Sequence, residues 1–192
     1  MTASRAKIDP RKQRTRDELL AAFFKLVLSR RYHEIRIADI LSDARVSRST
    51  FYEHFASKDD LLCASIEGPF LILAGMVGNE SSTRNVEGLL LHFWENRALA
   101  RSLFQGAAQQ ALRRKLISCI ETRLDNRSRN KLRVPRRLVA HALADGMFSP
   151  IIAWLLGEAT CDAGELAVAL QRSTAASVEA FGLHHLPILP NS

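Results

Sequence analysis

The stretch "ARVSRSTFYEHFASKDDLL", residues 44–62, compresses a turn, a very short helix and the start of another helix into nineteen residues. Ser47 stands where a helix N-cap is wanted, and Phe51 and Phe55 fall at i and i+4 of the segment 48–54. A helix over 48–54 therefore turns both rings to one side. Ser57 with Asp60 makes a capping box for a helix that begins at Lys58. An isolated helix of two turns is marginal in water and buries little surface. It nevertheless carries Arg48, Tyr52 and His54, with Lys58 just beyond. The stretch predicts an element kept for contact with something outside the chain.

Upstream, "IADILSDA" reads as a second short helix with Ile37, Ile40 and Leu41 on its buried side. Before it, Asp9-Pro10 has the form of an N-cap followed by Pro at the first helical position, and Thr15 with Glu18 offers a further capping box. Leu19/Leu20, Phe23 and Leu26/Val27 then follow at three-and-four spacing, the stripe of an amphipathic helix. Downstream, the helix from Lys58 is expected to run to about residue 79, kinked at Gly68-Pro69. Further helices are expected near 84–95, 97–105, 106–127, 135–157 and 163–181. The last is capped by Asp162 with Glu165 and followed by Gly182 at C′. "DNRSRNK" is a polar loop. No segment sustains strand alternation, so the expected fold class is all-α.

Two short helices joined by a turn of about three residues, behind a longer first helix, match a helix-turn-helix. In that geometry the second short helix lies in the DNA major groove, N-terminal residues nearest the base edges. Arg48 at that end suits bidentate hydrogen bonding to guanine, and Ser49 and Thr50 are small enough for close approach. Tyr52 and His54 reach flanking phosphates. Lys58 opens the next helix, where a cation opposes the helix dipole, so a phosphate explains it better than intramolecular stability. Charge supports this reading. Residues 1–58 hold 13 Lys+Arg against 7 Asp+Glu, net +6, whereas the whole chain is +7. Residues 113–137 are also basic, 10 against 2. That run reads either as a solvated helix face or as an attractor for an acidic effector or partner. Residues 5–16, with six basic side chains, suit either a minor-groove arm or a solvated tail.

These residues resemble the DNA-binding domain of the tetracycline-repressor (TetR) family of transcription regulators. The family pattern is roughly T-v-x-x-I-A-x-x-A-G-V-S-x-x-T-x-Y-x-[HY]-F-x-x-K-x-x-L, and here it reads "RIADILSDARVSRSTFYEHFASKDDL". Val46, Ser47, Thr50, Tyr52, His54, Phe55, Lys58 and Leu61 match at the family spacing. The resemblance implies that Arg36, Ser47, Arg48, Ser49, Thr50, Tyr52, His54 and Lys58 form the DNA-binding set. There are two departures. Arg45 replaces the glycine of the turn, and Arg36 replaces a threonine that caps the second helix and touches phosphate. The Arg at 36 is expected to keep the phosphate contact and lose the cap.

The resemblance further implies a helix-turn-helix domain over 1–57 and a helical regulatory and dimerisation domain over 58–192. It implies a homodimer on a pseudo-palindromic operator of double-stranded DNA. The function expected is a repressor released by a small-molecule effector. The alternative is an effector-free DNA-binding protein controlled by a protein partner. Candidate effector residues are Phe70, Met76, Phe93, Trp94, Phe104 and Phe148. The dimer is expected to use the last two helices through Leu166, Leu170, Ser177, Val178 and Phe181, as a four-helix bundle. An enzyme is the reading from another class, but no motif such as G-x-S-x-G is present. His92, His141, His184 and His185 lack metal-ligand spacing, and no cofactor is expected. Three cysteines without a C-x-x-C read as reduced, partly buried thiols, with a redox sensor as the alternative. The N-terminal residues lack the apolar core of a signal peptide, and the longest apolar runs fall short of the roughly 20 residues that span a bilayer. A cytoplasmic protein with no membrane association is the expectation.

Overall fold

In the computed structural model, which describes residues 9–78, 80–126 and 132–182, the chain is built from α-helices, ten of them among the described residues. The first, α1 (Pro10–Ser29), starts where Asp9 accepts from the Arg11 N–H and Pro10 occupies the first turn. It buries Leu19, Ala22, Phe23, Leu26 and Val27, the stripe seen in the sequence. The second capping box does not form. Thr15 lies inside α1 with its hydroxyl on the Arg11 carbonyl, and Glu18 pairs with Arg14 instead. Once Asp9 has capped the helix, Thr15 has no free N–H to serve.

Then follow α2 (Ile37–Ala44), α3 (Arg48–His54) and α4 (Lys58–Ser65). Residues up to Ser65 form one compact unit and residues from Ile66 a second. The first unit therefore includes α4, eight residues beyond the boundary expected at 57, because Leu61 and Leu62 are fully buried and α4 packs on α1. Its core joins Leu19, Phe23, Ile35, Ile40, Phe51 and Phe55. Phe51 meets Phe55 at 5.9 Å, and Phe23 meets Tyr32 edge-on at 6.3 Å. Burying Phe51 and Phe55 contributes about 1.5–3 kcal/mol each, which is what holds so short a helix in place.

The second unit holds α5 (Glu67–Gly75), α6 (Thr83–Glu95), α7 (Arg97–Phe104), α8 (Gln109–Asn126), α9 (Arg136–Leu156) and α10 (Ala163–Phe181). The single kinked helix expected from 58 to about 79 is two helices with Ile66 between them. Gly68 and Pro69 sit in the first turn of α5, where a missing N–H costs nothing, so Pro69 marks a helix start and not a kink. α9 packs against α8, α10 and α7, and α10 also packs on α6. Phe70, Phe148, Phe104 and Phe93 form, in that order, a chain of ring contacts, with centroid distances of 6.1, 5.2 and 5.4 Å along it. The Asp162 and Glu165 carboxylates each accept the other residue's backbone N–H at the start of α10, the box expected there. Gly182 follows α10 in an extended conformation, and it is Gly157, after α9, that takes the left-handed one. By length and hydropathy α9 is apolar enough to cross a membrane, but half of that window is buried inside the unit, as befits a core helix.

Candidate nucleic-acid interface

The α3 N-terminus is organised by a single hydroxyl. Ser47 accepts from the Thr50 N–H at 3.1 Å, and its oxygen lies 2.8 Å from both the Ser49 and Thr50 hydroxyls. The three short side chains are thus tied to one another, which leaves Arg48 as the long group free to extend from this end. Arg48 and Ser49 are exposed, and Thr50 is half-buried. Tyr52 is 49 % exposed although its ring meets Phe51 edge-on at 5.3 Å. Its phenol is therefore carried on a rigid, core-backed ring. His54 is half-buried beside Phe55.

Arg36 precedes α2 and gives no side-chain cap; the Asp39 carboxylate accepts the Arg36 N–H at 2.8 Å. The loss of the threonine cap is offset by the acid three residues on, half of a capping box. At the other end of α2, Arg45 has φ 56° and ψ 39°, a left-handed conformation. It is the one non-glycine with positive φ among the described residues. The turn does need the conformation a glycine adopts without strain, and an arginine there costs about 1 kcal/mol.

Lys58 departs most from expectation. Its ammonium donates to the carbonyls of Tyr32 and Ile35, at 2.8 and 2.7 Å, and stands 4.2 Å from the Tyr32 ring centroid. The Tyr32 hydroxyl in turn donates to Asp59. Burial lowers the Lys58 pKa from its usual value, with Asp59 pulling the other way. Burial, then the Asp59 bond, raises that of Tyr32. Intramolecular chemistry thus accounts for the cation, against the argument from the helix dipole. Lys58 is a staple between α4 and the turn at 32–35, with at most one donor left for a phosphate. Tyr32 and Asp59 were not foreseen as partners because nothing local links residues 27 apart.

In the second unit, Phe70, Met76, Phe93, Phe104 and Phe148 are buried, while Trp94 is 41 % exposed and stacks on Trp154 at 4.7 Å under the Arg97 guanidinium. A hollow of about 360 Å³ opens between α8 and α9, lined by residues including Gln109, Arg113, Asp145, Ile152 and Leu156. Of the six expected effector residues only Phe148 reaches this hollow. The other four buried ones spend their surface on the core, as side chains at helical spacing on an inward stripe do. Leu166 and Leu170 are likewise buried within the chain, where α10 meets α6 and α9, so they cannot face a mate. Ser177, Val178 and Phe181 are half-buried. The outward face of α10 carries Val168, Ala169, Arg172 and Ala176.

Four cations of the basic run are paired where it is described. Arg113 grips Asp145 through two bonds of 2.5 Å, Lys115 bonds Glu67 at 2.8 Å, and Arg123 and Arg136 pair with Glu80 and Asp125. The Arg113 bond holds the Asp145 carboxyl below the usual carboxylate range. Residues 127–131, His184, His185 and the basic side chains before Asp9 lie outside the described residues.

The profile of bacterial regulatory proteins of the tetR family matches residues 19–64, the span from the first buried leucine of α1 to α4. Over 91 residues the chain is 31% identical to DhaS, the HTH-type dhaKLM operon transcriptional activator of Lactococcus lactis, a match covering 47% of this chain and 49% of that protein. Over 61 residues it is 39% identical to YxbF, an HTH-type transcriptional regulator of Bacillus subtilis, covering 31% of this chain and 16% of that one. The chain thus spans about half the length of the first of these relatives and less of the second. In fold it is similar to a TetR transcriptional regulator from Streptococcus agalactiae, with a TM-score of 0.54 at 24% identity over 85% of this chain and 95% of the other. Residues 19–64, with α3 as the second short helix of a helix-turn-helix, are thus similar to bacterial regulatory proteins of the tetR family, and the fold of the chain is similar to that of a solved TetR regulator.

Proposed function

We infer that the protein acts as a homodimer that places α3 of each subunit in successive major grooves of a pseudo-palindromic operator. The observation that carries this reading is the α3 N-terminus, where Ser47, Ser49 and Thr50 bond one another and leave Arg48 exposed. A rigid helix end presenting a single guanidinium suits direct readout of one guanine per half-site. Arg36, Tyr52 and His54 supply the phosphate contacts, and Lys58 supplies the geometry that holds them. DNA can be selected from a random pool by the wild type and by Arg48→Ala. The variant should relax the choice at one base pair per half-site, and an unchanged selected sequence would assign base reading to another residue.

The mate is met by the outward faces of α9 and α10. α9 exposes Leu138, at 59 %, with Ala142, Gly146 and Ser149 on the same side, and α10 offers Val168, Ala169 and Ala176. These small side chains permit close approach of two helix pairs in a four-helix bundle. Because Leu170 is 1 % exposed, a charge there tests folding and not assembly. Ala142→Glu and Ala176→Glu are the informative variants: each should give a folded monomer by sedimentation with much weaker operator binding, and a dimer that persists would move the interface elsewhere.

Repression relieved by an effector is the proposed mode of control, working through a ligand that binds one state of the second unit better than the other. A second reading, control by a protein partner or activation, is favoured by two observations. Four of the expected effector aromatics pack on one another, and DhaS is by name an activator. A reporter gene under the selected operator, with and without the regulator, decides the sign.

A further inference from the structure

Three exposed arginines bracket the helix-turn-helix. Arg36 precedes α2, Arg45 ends it, and Arg48 opens α3. Neighbouring cations behave differently: Lys25 pairs with Asp43 at 2.5 Å and Arg30 with Asp39 at 3.5 Å, so the acids of α2 are taken by α1 and its end. Arg36, Arg45 and Arg48 have no acidic partner among the described residues. Arg45 is the unusual member. Its backbone is left-handed, its side chain is exposed, and it makes no ion pair or ring contact among the described residues. Nothing among the described residues gives a reason for an arginine at a position where glycine or asparagine adopts the same backbone with less strain. Non-glycine residues held in this region cluster at functional sites, and the observed outlier licenses the hypothesis.

The location supplies the ligand. In a helix-turn-helix the first helix crosses the phosphate backbone while the second enters the groove, and the turn lies where the two paths meet. Across the length of α2, Arg36 and Arg45 are separated by about 13 Å at 1.5 Å per residue, close to the roughly 12 Å width of the major groove. We propose that Arg45 contacts a DNA phosphate at the groove edge, a contact additional to those of the family pattern and present because the turn glycine has been replaced. It rests on the reading of α2 and α3 as the DNA-binding element. A phosphate contact carries no sequence information, so it adds affinity to every duplex alike.

The test uses the full chain and a 30-base-pair duplex of random sequence, with affinity measured by fluorescence anisotropy across a range of salt. Arg45→Gly and Arg45→Asn should bind roughly 3–10-fold more weakly at low salt. The slope of log affinity against log salt should become shallower by about 0.9 for each head in contact. Arg45→Lys should keep most of the slope, and Lys25→Ala, whose cation is already neutralised, should leave it unchanged. In the same preparations Arg45→Gly should raise the melting temperature by a few degrees, so weaker binding cannot be put down to a damaged fold. Unchanged affinity and slope in Arg45→Gly overturn the proposal, as does a lowered melting temperature. A folded wild type with no salt-dependent binding to the duplex would overturn the DNA-binding reading itself, which separates the two failures.

Discussion

Two segments of this chain are strongly basic, and they use their charge in opposite ways. Across residues 113–137 four of the cations reach out to acids on other elements: Arg113 to Asp145, Lys115 to Glu67, Arg123 to Glu80 and Arg136 to Asp125. Around α2 and α3, the acids are consumed by Lys25 and Arg30, and Arg36, Arg45 and Arg48 are left without acidic partners among the described residues. The first segment is thus cross-linked by its cations, while the second leaves three guanidiniums without an acid among the described residues.

Lys58 is where that comparison is most easily broken, since it lies in the N-terminal unit yet behaves like the paired cations of the body. Lys58→Ala leaves the Tyr32 and Ile35 carbonyls without their donor, and should lower the stability of the first unit by about 2–4 kcal/mol. Denaturant unfolding measures this. A loss below about 0.5 kcal/mol, together with weaker DNA binding, would return Lys58 to the phosphate-contacting set. Next in size, Arg48→Ala should cost about 1–3 kcal/mol of operator binding at one base pair per half-site while leaving stability alone, as measured by titration of single-base operator variants. The body should respond least. Arg123→Ala and Arg136→Ala should each change stability by at most about 1 kcal/mol and leave the salt dependence of DNA binding unaltered. A shallower salt slope in either would show that the run 113–137 also meets DNA.

The Arg113–Asp145 pair adds a pH arm to the same contrast. The Asp145 carboxyl is held low in the folded chain, first by its bond to Arg113. Its contribution is therefore fully present above the ordinary carboxylate range and is lost as pH falls through the depressed value. Because both partners are substantially exposed, the effect is small. Asp145→Asn should melt slightly below the wild type at neutral pH, and the two should converge in acid. A gap that persists at low pH would assign the difference to packing.

Most of the helices were legible because their buried stripes recur at three-and-four spacing and their ends carry capping residues. Asp9, Ser47 and Asp162 each cap as their spacing implies. The reading helix was legible for the same reason, with Phe51 and Phe55 fixing its inward side and so its outward one. The staple at Lys58 was not, since it depends on carbonyls 26 and 23 residues away that no periodicity reports. The break after Ser65 was misplaced because Pro69 carries the same letter whether it kinks a helix or starts one. Effector and dimer residues were the least legible. A stripe of large apolar residues shows that a face is covered, and the structure shows that for Leu166, Leu170 and four of the aromatics the cover comes from this same chain.

The aromatic residues are divided between the two units in a way that gives each its own optical label. Both tyrosines, Tyr32 and Tyr52, lie before Ser65, and both tryptophans, Trp94 and Trp154, lie after it. The indoles are stacked at 4.7 Å, so their near-ultraviolet dichroism is that of a coupled pair and vanishes when α6 and α9 separate. Indole emission, excited beyond the tyrosine band, therefore follows the C-terminal unit alone. Indole absorption underlies the phenol band, so the N-terminal unit is followed through the tyrosine feature of the second-derivative spectrum, with Tyr32 buried and Tyr52 half in water. Melting curves from indole emission and from the second-derivative tyrosine signal separate the stabilities of head and body in one unlabelled sample, and a substitution in either unit announces which of the two it has touched.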